Sequence, residues 1–481
     1  MRDNNPWWEG HSLPPLPSFR RWAFAPILKG IKKGLAPATV LRGPRQVGKT
    51  TLLNQVIEAL LEEKVEPHRI LRIQFDELPS LRGVSEPILE LSRWFSENVL
   101  RESFNDAARK GKTAFVFLDE VQNLSDWAPQ LKHLVDMHAV RVIVTGSSAL
   151  RIMQGRDSLA GRTYSIDLGP LLLREIAELR KIGTFPQLPA SNGVRHFIDA
   201  EFWRELQQIG LANIESRDAA FSAFAERGGY PLAQARADVS WEEIAEQLNE
   251  TVIRRAIEHD LRAGARGQRR DPSLLEEVFR LACRYTGQSP GQAVFVDEIK
   301  SALAANIGWQ RILAYLKFLD GTLLIKLVEP LELRLKRRRG ARKICLCDHA
   351  LRAGWLQEII PLTPEGLVSS PHLADLAGHI AESIVGYFLG SVPDIELAHF
   401  PPRGAEPEVD FVITIGGKRI PLEVKYRQHI DPLRDTRGLR AFLEKSVYNA
   451  PFGLLVTLHD NVNIPDPRII ALPLSSLLLA R

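Results

Sequence analysis

The chain has 481 residues, of which 45% are hydrophobic and 25% are charged, and its formal net charge is only +4. These values are typical of a folded globular chain with several domains. The small net charge gives no reason to expect a nucleic-acid partner, so any surface that binds nucleic acid must be local. Three cysteines provide no disulfide framework, and no apolar run reaches the roughly eighteen residues that a membrane span needs, so we expect a cytoplasmic protein without a membrane partner.

The first motif with a chemical meaning is a glycine-containing loop between a predicted strand and a predicted helix. An apolar strand is predicted at residues 38–41, and apolar positions at helical spacing follow residue 51. Glycines in such a loop let backbone N–H groups point at phosphate oxygens. The spacing predicts that Lys49 reaches the β- and γ-phosphates of ATP and that the Thr50 hydroxyl binds Mg²⁺. The predicted ATP-binding residues of the loop are Gly43, Pro44, Arg45, Gln46, Val47, Gly48, Lys49, Thr50 and Thr51. Upstream of the loop, Arg20 and Arg21 could contact a phosphate or the adenine of the nucleotide. We favour the alternative that both are surface charges.

An acidic pair follows the continuously apolar strand predicted at residues 113–118. Asp119 is expected to contribute to the Mg²⁺ shell, and Glu120 is expected to polarise the attacking water, because phosphoryl transfer needs a positioned water and neutralised charge. The next predicted strand, residues 140–144, ends in Thr-Gly-Ser-Ser. Ser147 is our candidate for a contact with the γ-phosphate, with Thr145 or Ser148 as alternatives.

Arginines follow this strand at positions 156 and 162. An arginine supplied across a subunit interface stabilises the transition state of phosphoryl transfer. We favour Arg162 over Arg156 for this role.

Four motifs in this half of the chain carry a family resemblance. They read GPRQVGKTT, LDEVQ, TGSSA and LAGR and lie at residues 43–51, 118–122, 145–149 and 159–162. Together they resemble the AAA+ ATPases, and more narrowly a bacterial and archaeal group of these proteins. The resemblance implies a parallel sheet covered by helices, ATP and Mg²⁺ as cofactors, and a closed ring, expected to be a hexamer, in which Arg162 acts on a neighbour's ATP.

We predict an α/β protein with four domains. They are an AAA+ parallel-sheet P-loop ATPase domain at 1–180, a helical lid at 181–270, a winged-helix domain at 271–350, and a nuclease-like α/β domain at 351–481. In the lid, Arg254 or Arg255 could sense the γ-phosphate, although a solvated helix face is the simpler interpretation.

A local concentration of positive charge lies in the predicted winged helix. Between the predicted wing strands, residues 334–343 include seven basic side chains in ten. Such a patch at a wing tip predicts contact with DNA phosphates, and the alternatives are a solvated hairpin or contact with an acidic neighbouring subunit. The predicted DNA-binding residues are Lys336, Arg337, Arg338, Arg339, Arg342 and Lys343.

The last region contains a second acidic constellation. Glu382 lies in a predicted helix, Asp410 in a predicted strand, and Glu423 and Lys425 in the returning strand. Adjacent antiparallel strands can bring Asp410 and Glu423 together, with Lys425 on the same face as Glu423. Two carboxylates on one Mg²⁺ or Mn²⁺ ion, completed by Glu382 and with a lysine to polarise water, suit phosphodiester hydrolysis.

This constellation resembles the PD-(D/E)xK nuclease superfamily, and the joint architecture resembles a domain of unknown function that follows many of these ATPases. One departure stands out: residues 439–448 contain Tyr448 but lack the glutamine of the RecB-like nucleases.

Two functions therefore remain open. The first is an ATP-driven protein that binds and processes branched or single-stranded DNA. The second is a nucleotide-gated DNA-binding regulator whose nuclease fold is inactive.

Overall fold

A computed structural model describes residues 1–34, 36–75, 84–124, 126–146, 159–188, 194–260, 271–332, 340–402, 404 and 406–481. The chain forms two compact units. The N-terminal unit comprises Met1–Gly169 with Glu258–Arg270, and the C-terminal unit comprises Pro170–Ile257 with Asp271–Arg481. Within the described ranges, no helix is both long and apolar enough to cross a membrane.

The N-terminal unit is built on a parallel sheet of five strands, as the alternation of strands and helices predicted. In space the strands follow the order β2-β3-β4-β1-β5, so that β4 separates β1 from β3. The carboxyl ends of all five strands meet at one edge, which is where an α/β sheet binds ligands. In chain order the strands are β1 (Ala38–Arg42), β2 (Ile70–Gln74), β3 (Ala114–Asp119), β4 (Val140–Gly146) and β5 (Thr163–Asp167).

Helices accompany this sheet, and their apolar sides close the core. Phe95 and Trp127 pack with Val116 and Leu118 of β3 in one buried cluster. The Trp-rich start of the chain is fixed to β2, because the indole N–H groups of Trp7 and Trp8 donate to the Ile70 carbonyl at 3.1 and 2.8 Å. The α-helices are α1 (Phe24–Lys33), α2 (Lys49–Glu62), α3 (Pro87–Phe95), α4 (Phe104–Arg109) and α5 (Trp127–Met137), and a π-helical turn spans Ser96–Leu100.

The C-terminal unit begins with a helical region. Arg217 joins this region to the end of the chain: its side chain is 1% exposed and makes two hydrogen bonds of 2.7 Å to Asp460. The predicted long helix at 241–262 is helical from Trp241 but changes to π-helical turns at Asn249–Arg254 and Ala256–Asp260. The α-helices of this region are α6 (Leu173–Leu179), α7 (Ala200–Ala212), α8 (Ile214–Arg227), α9 (Pro231–Ala235) and α10 (Trp241–Leu248).

Three helices and a hairpin occupy the region in which we predicted a winged helix. Asp271 caps the first helix by accepting from the N–H groups of Ser273 and Leu274 at 3.0 and 3.3 Å, and proline at the first helical position favours this start. The elements are α11 (Pro272–Arg284), α12 (Gln292–Leu303), α13 (Trp309–Gly321), β6 (Ile325–Pro330) and β7 (Lys343–Leu346). Their identity as a winged helix stays a prediction.

The hairpin β6–β7 is continuous with the sheet of the last region. That sheet has seven strands in the order β12-β11-β10-β9-β8-β6-β7. The connection is made by β6, which pairs in parallel with β8 and places Pro330 opposite His399. The remaining elements are α14 (His349–Leu356), α15 (Pro364–Ser369), α16 (Ala374–Gly390), β8 (Glu396–Phe400), β9 (Val409–Ile415), β10 (Lys418–Lys425), α17 (Arg437–Leu443), β11 (Gly453–Thr457), β12 (Ile469–Pro473) and α18 (Leu474–Leu477).

Candidate nucleotide site and a buried charge cluster

The predicted phosphate loop joins β1 directly to α2. Gly48 precedes the helix with φ of 90°, a left-handed conformation that glycine adopts without steric cost. Helix α2 begins at Lys49, and its N-cap residue Gly48 provides no side-chain cap. The N–H groups of that turn therefore point into the loop, and together with the helix dipole they make a site for an anion.

Lys49 lies inside this loop. Its side chain is buried, and Nζ donates to the carbonyl oxygens of Gly43 at 3.0 Å and Pro44 at 2.8 Å. Both partners are neutral backbone groups.

Asp119 lies at the carboxyl end of β3 and is fully buried. The Thr145 hydroxyl, from the adjacent strand β4, donates to one carboxylate oxygen of Asp119. Arg72 Nη2 is 3.5 Å from the other oxygen, and Thr50 also hydrogen-bonds the carboxylate. Burial raises the pKa of Asp119, and the hydrogen bond from Thr145 acts against that rise.

Glu120 follows directly, with φ of 56° in the left-handed region. Its N–H donates to the Thr145 hydroxyl oxygen at 3.2 Å, and its carboxylate accepts a hydrogen bond from the Gln122 side chain. A non-glycine residue in this conformation costs about 1–3 kcal/mol and persists where the surroundings hold it. Thr145 thus contacts both members of the acidic pair.

The donor set fits a magnesium–nucleotide complex. Mg²⁺ prefers oxygen ligands, and the Thr50 hydroxyl and the Asp119 carboxylate already belong to one hydrogen-bonded group. These two residues would hold the ion, while Lys49 and the N–H groups of the loop would hold phosphate oxygens.

The predicted contact with the γ-phosphate had three candidates, Ser147, Thr145 and Ser148, and it stays a prediction. Ser147 and Ser148 lie outside the described residues, so their predicted role is untested. Thr145, the other alternative, contacts Asp119 and Glu120.

The position of Arg21 differs from the one that we predicted. We favoured the surface for this residue, but its side chain is buried and donates to the carbonyl oxygen of Val47 at 2.5 Å and of Gly169 at 3.0 Å. Arg21 therefore supports the backbone of the phosphate loop. No sequence signal distinguished it from the neighbouring Arg20.

Two of the arginines proposed for transition-state or sensing roles, Arg162 and Arg254, have partners within the chain. Arg162 pairs with Asp136 at 2.5 Å and is 35% exposed. Arg254 pairs with Glu250 at 2.7 Å. Arg156 lies outside the described residues. The action of Arg162 on a neighbouring subunit stays a prediction.

A second set of charged residues meets in the C-terminal unit. Four predicted members come together as proposed: Glu382 from α16, Asp410 from β9, and Glu423 and Lys425 from β10. In the antiparallel register Phe411 lies opposite Leu422, which places Asp410 and Glu423 at the next position. Asp410 Oδ2 accepts a hydrogen bond of 2.9 Å from the N–H of Val424.

Lys343 at the start of β7 is a fifth member that the sequence did not predict. Its Nζ lies 2.9 Å from Glu382 Oε2 and 3.4 Å from Asp410 Oδ1, and its side chain is only 3% exposed. The assignment of Lys343 to DNA phosphates is therefore wrong, because a buried ammonium between two carboxylates is not presented to a ligand. We call Lys343, Glu382, Asp410, Glu423 and Lys425 the charge cluster.

Lys425 and Glu423 form the other half of the cluster, with Nζ 3.0 Å from Oε2. Helix α17 approaches Glu423 so closely that a Cβ atom at Gly438 would lie 2.0 Å from Glu423 Oε1. Only glycine fits at this position while the carboxylate keeps its place.

Burial raises the pKa of two carboxyl groups of the cluster, whereas the lysines prevail at Asp410. Burial and the nearby Asp410 charge raise the pKa of Glu382 to about 8, and burial raises the pKa of Glu423 to about 7. Burial also acts to raise the pKa of Asp410, but Lys343 and Lys425 lower it below its ordinary value. Asp410 is thus the carboxylate that most firmly holds a negative charge.

The predicted three-carboxylate metal shell is not formed. Within the described ranges, no group of three or more His, Cys, Asp or Glu side chains is arranged to hold a metal ion. The physical reason is the ammonium group of Lys343, which lies between Glu382 and Asp410. The residues present therefore do not fit the divalent ion that we predicted for Glu382, Asp410 and Glu423.

The structure describes only one of the other predicted DNA-binding residues. Lys336, Arg337, Arg338 and Arg339 lie outside the described residues, so their role is untested. Arg342 pairs with Glu329 at 2.7 Å.

Tyr448 packs in the aromatic part of the C-terminal core. Its ring lies 4.4 Å from that of Phe442, and its hydroxyl donates to Glu406 at 2.9 Å. Tyr448 is therefore a core residue.

Family models match three parts of the chain. Residues 36–177 match an AAA domain (AAA_14), residues 218–361 match a domain of unknown function (DUF8612), and residues 377–477 match another domain of unknown function (DUF4143).

Curated relatives match shorter stretches. The uncharacterized protein MJ1637 of Methanocaldococcus jannaschii is 33% identical over 144 residues, which are 30% of this chain and 28% of that protein. The uncharacterized proteins Mb2031c of Mycobacterium bovis and Rv2008c of Mycobacterium tuberculosis are 27% identical over 191 residues, 39% of this chain and 37% of theirs. The chain thus spans less than half the length of these relatives.

Two solved structures are similar at low identity. The Walker-type ATPase PABY2304 of Pyrococcus abyssi has a TM-score of 0.39 at 18% identity, covering 72% of this chain and 99% of its own. PCH-2 of C. elegans has a TM-score of 0.27 at 16% identity, covering 47% and 60%. The match to the AAA model and the geometry around Lys49, Thr50 and Asp119 lead to one conclusion: residues 36–177 form a P-loop domain of the AAA type.

Proposed function

We propose that this chain hydrolyses ATP and binds DNA, and that its nucleotide state regulates this binding. The observation that carries the ATPase part is the hydrogen-bonded group of Thr50, Asp119 and Thr145 at the sheet edge where the phosphate loop begins. This group combines a hydroxyl and a buried carboxylate beside a helix N-terminus, which is what a magnesium–nucleotide complex requires.

Each residue of the site has a role in this proposal. Lys49 would exchange its bonds to the Gly43 and Pro44 carbonyls for bonds to phosphate oxygens, at little cost because the carbonyls are neutral. Glu120 would orient the attacking water and accept its proton. Magnesium, when bound, supplies charge neutralisation at the phosphates.

The DNA part rests on the basic segment at residues 334–342, without the buried Lys343. Its charge density is local, and local clusters of lysine and arginine bind phosphates by releasing condensed counterions. Arg342 would contribute less than an unpaired arginine, because its side chain pairs with Glu329.

For the last domain we favour DNA binding without cleavage. The charge cluster holds its carboxylates with lysines, and phosphodiester hydrolysis of the predicted kind needs a divalent ion there. A second candidate function, metal-dependent cleavage of DNA at the converged Glu382, Asp410, Glu423 and Lys425, would require the ammonium group of Lys343 to leave Glu382 and Asp410.

We also propose assembly into a ring, with a hexamer as the expected form, in which Arg162 leaves Asp136 to reach a neighbour's ATP. Light scattering with ATP and DNA tests this assembly. A protein that stays monomeric with ATP and DNA would rule out the ring. Mixing Lys49→Ala chains with Arg162→Ala chains should restore part of the ATPase activity if the sites are shared.

The main experiment measures ATP hydrolysis by the full chain alone and with single-stranded, duplex, forked and four-way DNA. We expect hydrolysis that depends on Mg²⁺, and a DNA affinity that differs between the ATP- and ADP-bound protein. Equal affinity in both nucleotide states would refute the regulatory part, and absence of hydrolysis under all conditions would refute the ATPase part.

Cleavage is tested on the same DNAs with Mg²⁺ or Mn²⁺, comparing wild type with Asp410→Ala. We expect no Asp410-dependent products. Cutting by wild type that disappears in the variant would establish the second candidate instead.

A further inference from the structure

The charge cluster contains an ammonium group where a divalent cation would be expected. Lys343 Nζ is within 2.9 Å of Glu382 Oε2 and 3.4 Å of Asp410 Oδ1, and these two carboxylates come from different elements. A metal that bridged them would occupy the same space. The side chain of Lys343 has almost no exposure through which it could swing aside.

Lys343 is held in position by a neighbouring strand, a helix and an aromatic ring. Its backbone pairs with Val328 across the β6–β7 hairpin, and helix α16 packs on both strands of that hairpin. The Phe411 ring lies 4.9 Å from Nζ, so the ammonium group also contacts an aromatic face. The same helix that packs on β7 provides Glu382.

The charges of the cluster support a stable ammonium group. Burial by itself would lower the pKa of Lys343, but the carboxylates of Asp410 and Glu382 raise it above its ordinary value. Lys343 therefore stays charged, and a second cation between the same carboxylates would meet its repulsion at close range.

We propose that Lys343 is a built-in substitute for a divalent cation: it occupies the position between Glu382 and Asp410 and keeps the charge cluster free of metal. The inference concerns the C-terminal unit alone and does not depend on ATP hydrolysis. In this proposal, Lys343 is the residue that prevents the charge cluster from binding a metal ion. Loss of its charge would allow Mn²⁺ or Mg²⁺ to bind at the same position.

The test counts Mn²⁺ ions bound per full-length chain by electron paramagnetic resonance, without nucleotide. The proteins are wild type, Asp410→Asn, Lys343→Met and the double variant. Methionine keeps the length of the side chain and removes its charge. Lys418→Met, on the exposed start of β10, is the matched control for loss of a lysine.

We expect wild type, Asp410→Asn and Lys418→Met to bind the same number of Mn²⁺ ions. Lys343→Met should bind one more, and the double variant should lose that ion again. Thermal unfolding gives a second readout, in which Mn²⁺ raises the melting temperature of Lys343→Met but not that of the double variant.

An Mn²⁺ ion bound by wild type and lost in Asp410→Asn would overturn the proposal. A folded Lys343→Met protein that binds no additional ion would also overturn it. If Lys343→Met folds only when Mn²⁺ is added, the requirement for a cation at this position is supported directly. If it fails to fold under both conditions, the comparison of wild type with Asp410→Asn decides.

Discussion

Two buried lysines, Lys49 in the phosphate loop and Lys343 in the charge cluster, differ in the hydrogen bonds described above. Lys49 donates to backbone carbonyls at 3.0 and 2.8 Å. Lys343 contacts the carboxylates of Glu382 and Asp410 at 2.9 and 3.4 Å. Both side chains are almost completely shielded from solvent, so burial alone does not tell their functions apart.

The partners decide what each lysine can do. A lysine that is bonded to neutral carbonyls can exchange them for phosphate oxygens and gain a charge-assisted interaction. A lysine that neutralises buried carboxylates cannot leave without stranding uncompensated charge, which is costly in a protein interior. The first arrangement suits ligand binding, and the second suits a permanent internal counterion.

The largest effect is expected at the acidic residue beside the phosphate loop. Glu120→Gln should lower ATP turnover by roughly 100- to 10,000-fold, the usual contribution of a positioned general base. ATP binding should be kept, because only activation of the water is lost. Steady-state hydrolysis and equilibrium binding of a fluorescent nucleotide measure the two effects. Glu423→Gln in the charge cluster is the control and should leave hydrolysis unchanged. Wild-type turnover by Glu120→Gln would refute the assignment.

The next effect concerns stability and separates the two lysines. Lys343→Met should lower the free energy of unfolding by about 3–5 kcal/mol, because it leaves buried carboxylates unpaired. Lys49→Met should cost less, roughly 1.5–3 kcal/mol, since it loses hydrogen bonds from a charged donor to the Gly43 and Pro44 carbonyls. Urea denaturation without divalent ions measures both changes.

A matched variant sharpens this result. Adding Glu382→Gln and Asp410→Asn to Lys343→Met should recover most of the lost stability, because the uncompensated charges are removed with the lysine. Equal costs for Lys49→Met and Lys343→Met would contradict the distinction between the lysines.

For nucleotide affinity, we expect the larger effect at Lys49 and not at Lys343, the reverse of the order expected for stability. Lys49→Ala should weaken ATP binding roughly 100-fold, because two or more bonds to charged phosphate oxygens are lost. Lys343→Met should leave ATP binding unchanged. Isothermal titration with ATP and Mg²⁺ gives both values. An equal loss in both variants would show that the second change disturbs the whole protein.

The smallest effect is expected at the basic segment. Changing Arg337, Arg338 and Arg339 to alanine should weaken DNA binding for all sequences alike. The slope of log affinity against log salt concentration should fall by about 0.9 for each lost phosphate contact. Fluorescence anisotropy at several salt concentrations measures it. Arg342→Ala is the matched control with a smaller expected change, since Arg342 pairs with Glu329. An unchanged slope in the triple variant would place the DNA surface elsewhere.

The phosphate loop was predictable because its information is local. Strand, loop and helix are contiguous, and the helix begins at Lys49 as the motif spacing indicated. The acidic strand end was also predictable, since a fully apolar run followed by Asp119 and Glu120 is a local pattern. The support from Arg21 and Thr145 needed the structure, because both residues act on partners that are distant in sequence.

The charge cluster was only partly predictable. Glu382, Asp410, Glu423 and Lys425 follow from the spacing of a helix and a hairpin, which local periodicity indicates. Lys343 looked like part of a basic run, and its neighbours in the sequence supported a DNA contact. Its partners are 39 and 67 residues away, so no local pattern connects them.

The sequence by itself determined the α/β class of the first unit, the phosphate loop and the four polar positions of the second site. Only the tertiary structure decided the role of Lys343. The parallel pairing of β6 with β8 adds the β6–β7 hairpin to the C-terminal sheet, and helix α16 packs over it. Strand pairing between distant segments is fixed by packing of the whole sheet, and it turned an apparent surface cation into a buried partner of two carboxylates.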